Sequence, residues 1–388
     1  MFKMRGLLTS INPKAIRSLS AFQLQYQSYR FNQTFAKIIS FEEYGKPSTV
    51  LKIRQQALPE LSSKDVHIKF LAAPVNPADV NQIEGSYPAK PVFHPEIGAI
   101  GGNEGVAEVI SVGTEVKDLT VGDWVIPSKP GFGTWRTHAS VQPEDIYRIP
   151  KEGISVIQAA TLTVNPCTAY RMLKDFIDLK EGDYVIQNGG NSGVGQAVIQ
   201  IARARGINTI NIIRDRENFE EAAQKLKDLG ATHVFADTQI RKPDTRDFIK
   251  SLGRPIRLGL NCVGGKTTTD MARLLGNNAT LVTYGGMSRE PLTFPTSIFI
   301  FKNLTATGFW MTNWAKDHSR EERAQMWNEI LGMMRDGKLK EVPNEQINWE
   351  TSSEHISQDQ EQNMLKKFTG VVDKALSGFS KGKQIVLF

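Results

Sequence analysis

Two groups of residues in this chain have the types and spacing that chemistry requires. The first is Asn188-Gly189-Gly190-Asn191-Ser192-Gly193-Val194-Gly195, which follows the apolar run Tyr184-Val185-Ile186-Gln187 and leads into Val194, Ala197, Val198, Ile201 and Ala202 at helical spacing. Glycines in a strand-to-helix turn let the backbone approach a pyrophosphate, whose charge is drawn by the N–H groups and dipole of the helix N-terminus. A glycine cluster alone would be weak, but a strand before it and a helix after it supply the required context. About twenty residues on, where an acid usually meets the ribose 2′-hydroxyl of NAD, stands Arg214-Asp215-Arg216. Two guanidiniums there suit a 2′-phosphate and favour NADPH. The plainer reading leaves both arginines solvated and Asp215 capping the next helix.

The second group is Asn76-Pro77-Ala78-Asp79 followed by Gly85-Ser86-Tyr87-Pro88. A phenol beside a bound substrate can protonate a carbanion or enolate, which makes Tyr87 the strongest acid candidate of this stretch. A tyrosine in a turn is otherwise apolar packing. No metal is expected. Catalytic zinc needs clustered Cys, His and carboxylate ligands, whereas Cys167 and Cys262 are the only thiols, and His67, His94 and His138 form no pair at metal-site spacing.

These residues need elements to hold them. From about Phe35 to Val125, short alternating runs such as Val66 to Phe70 and Val106 to Ile110, broken by Gly and Pro, predict a small barrel-like β domain. After Pro150 strands alternate with helices, which predicts a doubly wound parallel sheet. Its further strands fall at Thr209 to Ile213, His233 to Ala236, Leu258 to Val263 and Thr280 to Tyr284, with helices near 218 to 229 and 266 to 275. Ser319 and Glu322 form a capping box before Ala324, Trp327, Ile330, Leu331 and Met334, and Gly337 stops that helix. The remaining tail is expected to return to the first domain.

A chain of 388 residues is longer than one core usually grows, so two domains with a cleft are expected. The formal charge of +6 does not describe a basic surface: residues 1 to 41 carry Lys3, Arg5, Lys14, Arg17, Arg30 and Lys37 with no acid, which leaves residues 42 to 388 neutral. A neutral body offers no global footprint for nucleic acid. The leader is rich in Ser and Gln, with Ile16, Leu19 and Phe22 on a different helical face from Lys14 and Arg17, as in a mitochondrial presequence. Two thiols argue against an oxidising compartment, and no segment approaches the roughly 20 apolar residues of a membrane span.

Glycine turn, domain order and thiol poverty together resemble the medium-chain dehydrogenase/reductase superfamily, with Gly102-Asn103-Glu104 where its alcohol dehydrogenases carry Gly-His-Glu. Asparagine in place of the metal-binding histidine points to the zinc-free branch. Within that branch, residues from about 35 to the end resemble the mitochondrial 2-enoyl thioester reductases, the trans-2-enoyl-CoA or enoyl-acyl-carrier-protein reductases of mitochondrial fatty acid synthesis. The matching segments are Asn76 to Gln82, Tyr87-Pro88, Gly102 to Gly105, Phe132 to Trp135, Val164 to Pro166, Arg214 to Arg216, Tyr284 to Met287 and Gly308 to Trp310.

The resemblance implies a Rossmann-type doubly wound domain beside a GroES-like, mainly β catalytic domain, with the active site between them. It divides the chain into a presequence at 1–30, a catalytic domain at 31–160, an NADPH-binding domain at 161–335 and a C-terminal return to the catalytic domain at 336–388. It makes Tyr87 the proton donor and gives Asn165 to the cofactor. Asn191, Ser192, Gly193 and Val194 would hold the pyrophosphate, and Arg214, Asp215 and Arg216 the 2′-phosphate. Tyr284, Gly285, Gly286, Met287, Phe309, Trp310, Met311 and Thr312 would lie along the nicotinamide half, with Lys383 near the cofactor. Met311 and Asn313 depart from the pattern, which leaves the pocket wall and the chain-length preference open.

The implied reaction reduces the 2,3 double bond of a trans-2-enoyl thioester, carried on acyl carrier protein or coenzyme A, with NADPH, in the mitochondrial matrix and as a homodimer. An acidic carrier protein would meet cations, for which Lys302 and Arg289 are candidates. The competing readings are an NADPH:quinone oxidoreductase of the same branch, which needs no proton-donating tyrosine, and a non-catalytic NADPH-binding interaction protein.

Overall fold

A computed structural model describes residues 34–349, 357–377 and 382–388. The leader and its presequence reading lie outside the described residues.

The first third of the described chain is mainly β: β1 (Phe35–Phe41), α1 (Pro47–Val50), β2 (Lys52–Ala57), β3 (Val66–Pro74), α2 (Pro77–Ile83), β4 (Ala99–Ile100), β5 (Val106–Val112), β6 (Trp124–Pro127), β7 (His138–Val141) and β8 (Ile146–Ile149). Strand β3 shows why these residues form strands. Val66, Ile68, Phe70 and Ala72 are buried while Lys69 is exposed, the period of two that a half-covered sheet demands.

Alternation then begins with α3 (Val156–Ala160), α4 (Asn165–Asp175), β9 (Tyr184–Asn188), α5 (Gly193–Ala204), β10 (Asn208–Ile213), α6 (Phe219–Leu229), β11 (His233–Ala236), α7 (Pro243–Ser251), β12 (Leu258–Asn261), α8 (Gly265–Leu274), β13 (Thr280–Thr283), α9 (Thr296–Lys302), β14 (Thr305–Gly308), α10 (Met311–Asp317) and α11 (Arg320–Arg335). Its six strands lie in the order β11-β10-β9-β12-β13-β14, all parallel. That is the doubly wound order, and its direction reverses between β9 and β12. Ligands of such sheets bind beyond the carboxyl ends of the strands at that switch point.

The predicted strands and helices are present, but the sixth strand is not legible in the sequence. Thr305-Ala306-Thr307-Gly308 is an edge strand that is mostly exposed, so it carries no apolar alternation.

The tail, β15 (Asn344–Asn348), α12 (Gln358–Ser377) and β16 (Lys383–Leu387), packs on the first domain. β16 runs antiparallel to β3, pairing Ile385 with Pro74, and extends the sheet β15-β16-β3-β5-β6-β8. Met364, Phe368 and Val372 of α12 enter the cluster around Ile39, Phe41 and Trp135. A second cluster crosses the domain junction, joining Ala72, Val106, Ile126 and Ile385 to Cys167, Tyr170, Val198, Leu258, Trp327 and Leu331. Close-packed side chains shared in this way hold the two walls of the cleft at a set separation.

Candidate active site

The glycine turn sits at the switch point. β9 ends in Asn188, whose Nδ2 donates to Asn261 Oδ1 at the end of β12 (2.8 Å) and whose Oδ1 accepts from the backbone N–H of Cys262 (2.8 Å). These bonds bind the two diverging strand ends together under the turn. Ser192 caps α5, its Oγ accepting from the Gly195 N–H at 3.1 Å. A Cβ on Gly195 would stand 2.6 Å from the carbonyl oxygens of both Gly189 and Gly190, so only glycine lets the helix start this close to the strand. A Cβ on Gly193 would stand 2.5 Å from Asn165 Nδ2, which places Asn165 directly over the helix entrance.

The cleft beyond this turn has a volume of about 1920 Å³ and is lined from both domains. Seventeen of the eighteen residues singled out above line it: Tyr87, Asn165, Asn191 to Val194, Arg214, Arg216, Tyr284 to Met287, Phe309 to Thr312 and Lys383. Asp215 does not. It turns toward β11, accepting from Thr238 Oγ1 at 2.6 Å, and its N–H donates to Asp237 Oδ1 at 3.0 Å. Asp215 does not cap α6 either, whose N-cap position is Asn218.

At the other end stands Tyr87. Helix α2 stops at Gly85, φ +74°, a left-handed residue that glycine adopts without strain. The N–H groups of Ser86 and Tyr87 both bond back to Asn81 O, at 2.9 and 3.0 Å. This turn presents the half-buried Tyr87 ring edge-on to Trp310, with centroids 5.6 Å apart. Trp310 Nε1 donates to the Tyr87 hydroxyl oxygen at 2.7 Å. A phenol has one proton to donate, and accepting from Trp310 leaves that proton available to another acceptor. Tyr284 is unlike Tyr87: its hydroxyl oxygen is sealed from solvent, and burial pushes its phenol well above the ordinary range.

Two acids near this site, Asp79 and Glu104, have no chemistry legible in the sequence. Asp79 and Glu104 are completely buried. Burial raises Asp79 to about 6, against hydrogen bonds from Asn76 and Asn103, and burial also raises Glu104, against the nearby charge of Lys383. Burial lowers Lys383 in turn. The available signal is one acid in each of two matched segments, Asp79 in Asn76 to Asp79 and Glu104 in Gly102 to Gly105.

Lys302, a candidate for meeting an acidic carrier, is otherwise engaged. Its Nζ donates to the carbonyls of Arg273 and Leu275, at 2.8 and 2.7 Å, closing the C-terminal end of α8. Arg289 is exposed. No helix among the described residues is long and apolar enough to cross a membrane.

Residues 62–151 match the family model of the alcohol dehydrogenase GroES-like domain, and residues 193–331 that of the zinc-binding dehydrogenases. The donor set does not fit a zinc ion: among the described residues no three His, Cys, Asp or Glu side chains group together as ligands would. The chain is 45% identical over 333 residues to the mitochondrial enoyl-acyl-carrier-protein reductase of Xenopus tropicalis, across 85% of this chain and 93% of that protein. It is 46% identical to the Homo sapiens enzyme of the same name, across 78% and 80%. The structure of an Etr1p/NADP/crotonyl-CoA complex aligns with a TM-score of 0.85 at 37% identity, over 92% of this chain and 100% of that one. Escherichia coli quinone oxidoreductase complexed with NADPH aligns at 0.71 over 91% and 100%, but at 21% identity it shares the fold alone. The chain belongs to the mitochondrial enoyl-acyl-carrier-protein reductases, within the medium-chain dehydrogenase/reductase superfamily.

Proposed function

We propose that this protein is an NADPH-dependent reductase of the 2,3 double bond of trans-2-enoyl thioesters. The observation that carries the reading is the meeting, in one cleft, of a helix-capped glycine turn and a tyrosine whose oxygen accepts from Trp310. Bound in this cleft, NADPH would supply the hydride for C3, leaving NADP+. The protein's own residues do the rest.

Asn191 to Val194, at the N-terminus of α5, hold the pyrophosphate by backbone N–H groups. Arg214 and Arg216 hold the 2′-phosphate, as charge-assisted bonds to phosphate are the strong ones; Asp215 supports their loop through Thr238 rather than touching the cofactor. Tyr284 to Met287, Phe309 to Thr312, Asn165 and Lys383 set the nicotinamide end. Tyr87 delivers its O–H proton to C2 of the enolate left by hydride addition. Phe309 and Trp310 close the cleft against water.

The finer points rest on the family. The thioester is carried on acyl carrier protein or coenzyme A; the curated relatives are named for the first, and the Etr1p complex holds crotonyl-CoA. The relatives are also named mitochondrial, which supports mitochondrial location, here in the matrix behind a leader at 1–30. The domains run 31–160, 161–335 and 336–388. Two copies pair along the exposed edge of β14, where Ile300 and Phe301 of α9 are 66% and 78% exposed. An uncovered strand edge beside apolar side chains is the kind of surface a second chain covers.

The test is NADPH oxidation with trans-2-hexenoyl-CoA, with NADH and a quinone in parallel. Thioester turnover specific to NADPH is the expected result. Quinone turnover alone, or tight NADPH binding without turnover, would overturn the reading.

A further inference from the structure

Beneath the cleft lies an ionisable cluster of Asp79, Glu104 and Lys383, whose two acids the reaction as described does not use. A buried carboxylate is unfavourable unless charge and hydrogen bonds compensate it, and Glu104 is 0% exposed. The compensation is relayed. Lys383 Nζ donates to Asn76 Oδ1, and Asn76 Nδ2 donates to Glu104 Oε1 at 2.8 Å. The second carboxylate oxygen reaches another element: Oε2 accepts from the Val164 N–H at 3.0 Å and from Thr163 Oγ1 at 3.3 Å. Val164 is the N-cap of α4, and Asn165 is its first residue.

One side chain therefore joins three elements that face the cofactor from different parts of the chain. They are the start of β16, which carries Lys383; the N-cap of α2, the helix whose far end sets Tyr87; and the entrance of α4, which carries Asn165. Asn76, Asn165 and Lys383 all line the cleft, and Glu104 does not. Asp79 is connected differently. Its carboxylate accepts from the Asn76 N–H at 2.7 Å and from Asn103 Nδ2 at 2.6 Å, both within the β domain, so Asp79 ties α2 down without reaching α4.

We propose that Glu104 is a positioning residue for enoyl reduction, holding Lys383 through Asn76 and Asn165 through the N-cap of α4 in one register around the nicotinamide end of the cleft. The inference rests on the reading of the cleft as an NADPH site. A carboxylate suits the task because it offers four acceptor positions and no donor, and every group aimed at it here is a donor. Its negative charge also favours the N-terminal end of α4 while answering Lys383.

The test uses the full chain and NADPH binding followed by cofactor fluorescence, which needs no thioester. Glu104→Gln retains the volume but turns an NH2 toward Asn76 or toward Val164. It is expected to weaken NADPH about tenfold, by the loss of a bond between charged and neutral groups, with kcat falling alongside KM rising. Lys383→Met is expected to weaken it by a similar factor. The double variant should show about the same tenfold loss and not the product of the two, because the residues act through one relay. A multiplicative loss, or unchanged affinity in Glu104→Gln, would overturn the proposal. Should Glu104→Gln not fold, Glu104→Asp retains the charge beside Lys383 but is one methylene too short to span both partners. Wild-type affinity in that variant would overturn the register. Absence of NADPH binding by the wild-type chain would sink the cofactor reading and this inference together, whereas binding indifferent to either substitution sinks this inference alone.

Discussion

Trp310 Nε1 donates to the hydroxyl oxygen of Tyr87 across 2.7 Å, joining residues 223 positions apart in the chain. The bond occupies an acceptor site of the phenol and leaves its proton free. Tyr87→Phe is expected to lower kcat by about 100-fold or more, the usual contribution of a positioned acid, with little change in NADPH affinity. Trp310→Phe preserves an aromatic wall but removes the donor, and should lower kcat by about tenfold, the worth of one hydrogen bond made in the reacting geometry. Steady-state kinetics beside cofactor titration separates the two effects. Turnover unchanged in Tyr87→Phe would remove it from the chemistry.

Arg214 lines the cleft where the 2′-phosphate would sit, at the end of β10. Arg214→Ala should reduce kcat/KM for NADPH by about tenfold or more, since a charge-assisted bond to phosphate is lost, while leaving the rate with NADH nearly as it was. The ratio of the two cofactors is the readout. Equal losses with both would mean that Arg214 supports the loop and does not read the phosphate.

Asp79 makes stability depend on pH in an unusual direction. Its native value of about 6 lies above the ordinary 3.8, with burial as the main cause. Between those values the native state retains a proton that the unfolded chain gives up, so its contribution to stability falls as pH rises through this window and levels off above it. Glu104 opposes its ionisation and Lys383 favours it. Measured by thermal unfolding, Asp79→Asn should therefore gain on the wild type from below pH 4 to above pH 6, whatever its fixed cost. A difference flat across that range would mean that Asp79 titrates normally.

Phe301 is 78% exposed on α9, the helix that precedes the edge strand β14 in the chain. Phe301→Lys puts a charge in the proposed contact, and sedimentation should show a shift toward monomer with the fold retained. An unchanged assembly would place the subunit contact elsewhere.

Much of this protein is determined by sequence alone, because the interactions concerned are local or periodic. The turn at Gly189 to Gly195, the cap at Ser192, the box at Ser319 and Glu322, and the alternation of β3 each depend on neighbours within a few residues. The resemblance supplied the rest of the cleft list, and the structure brings nearly all of it to one surface. Other features were decided only by tertiary structure. Strand β14 has no apolar pattern, since an exposed edge buries neither face; it exists because β13 offers it hydrogen bonds. Asp215 turns from the cleft because Thr238 and Asp237 of the next loop hold it. Lys302 is spent on carbonyls of α8. Glu104 finds Asn76, Val164 and, through Asn76, Lys383 at separations of 28, 60 and, from Asn76, 307 residues. A buried charge takes its meaning from whatever donors the fold places around it, and no spacing along the chain encodes that arrangement.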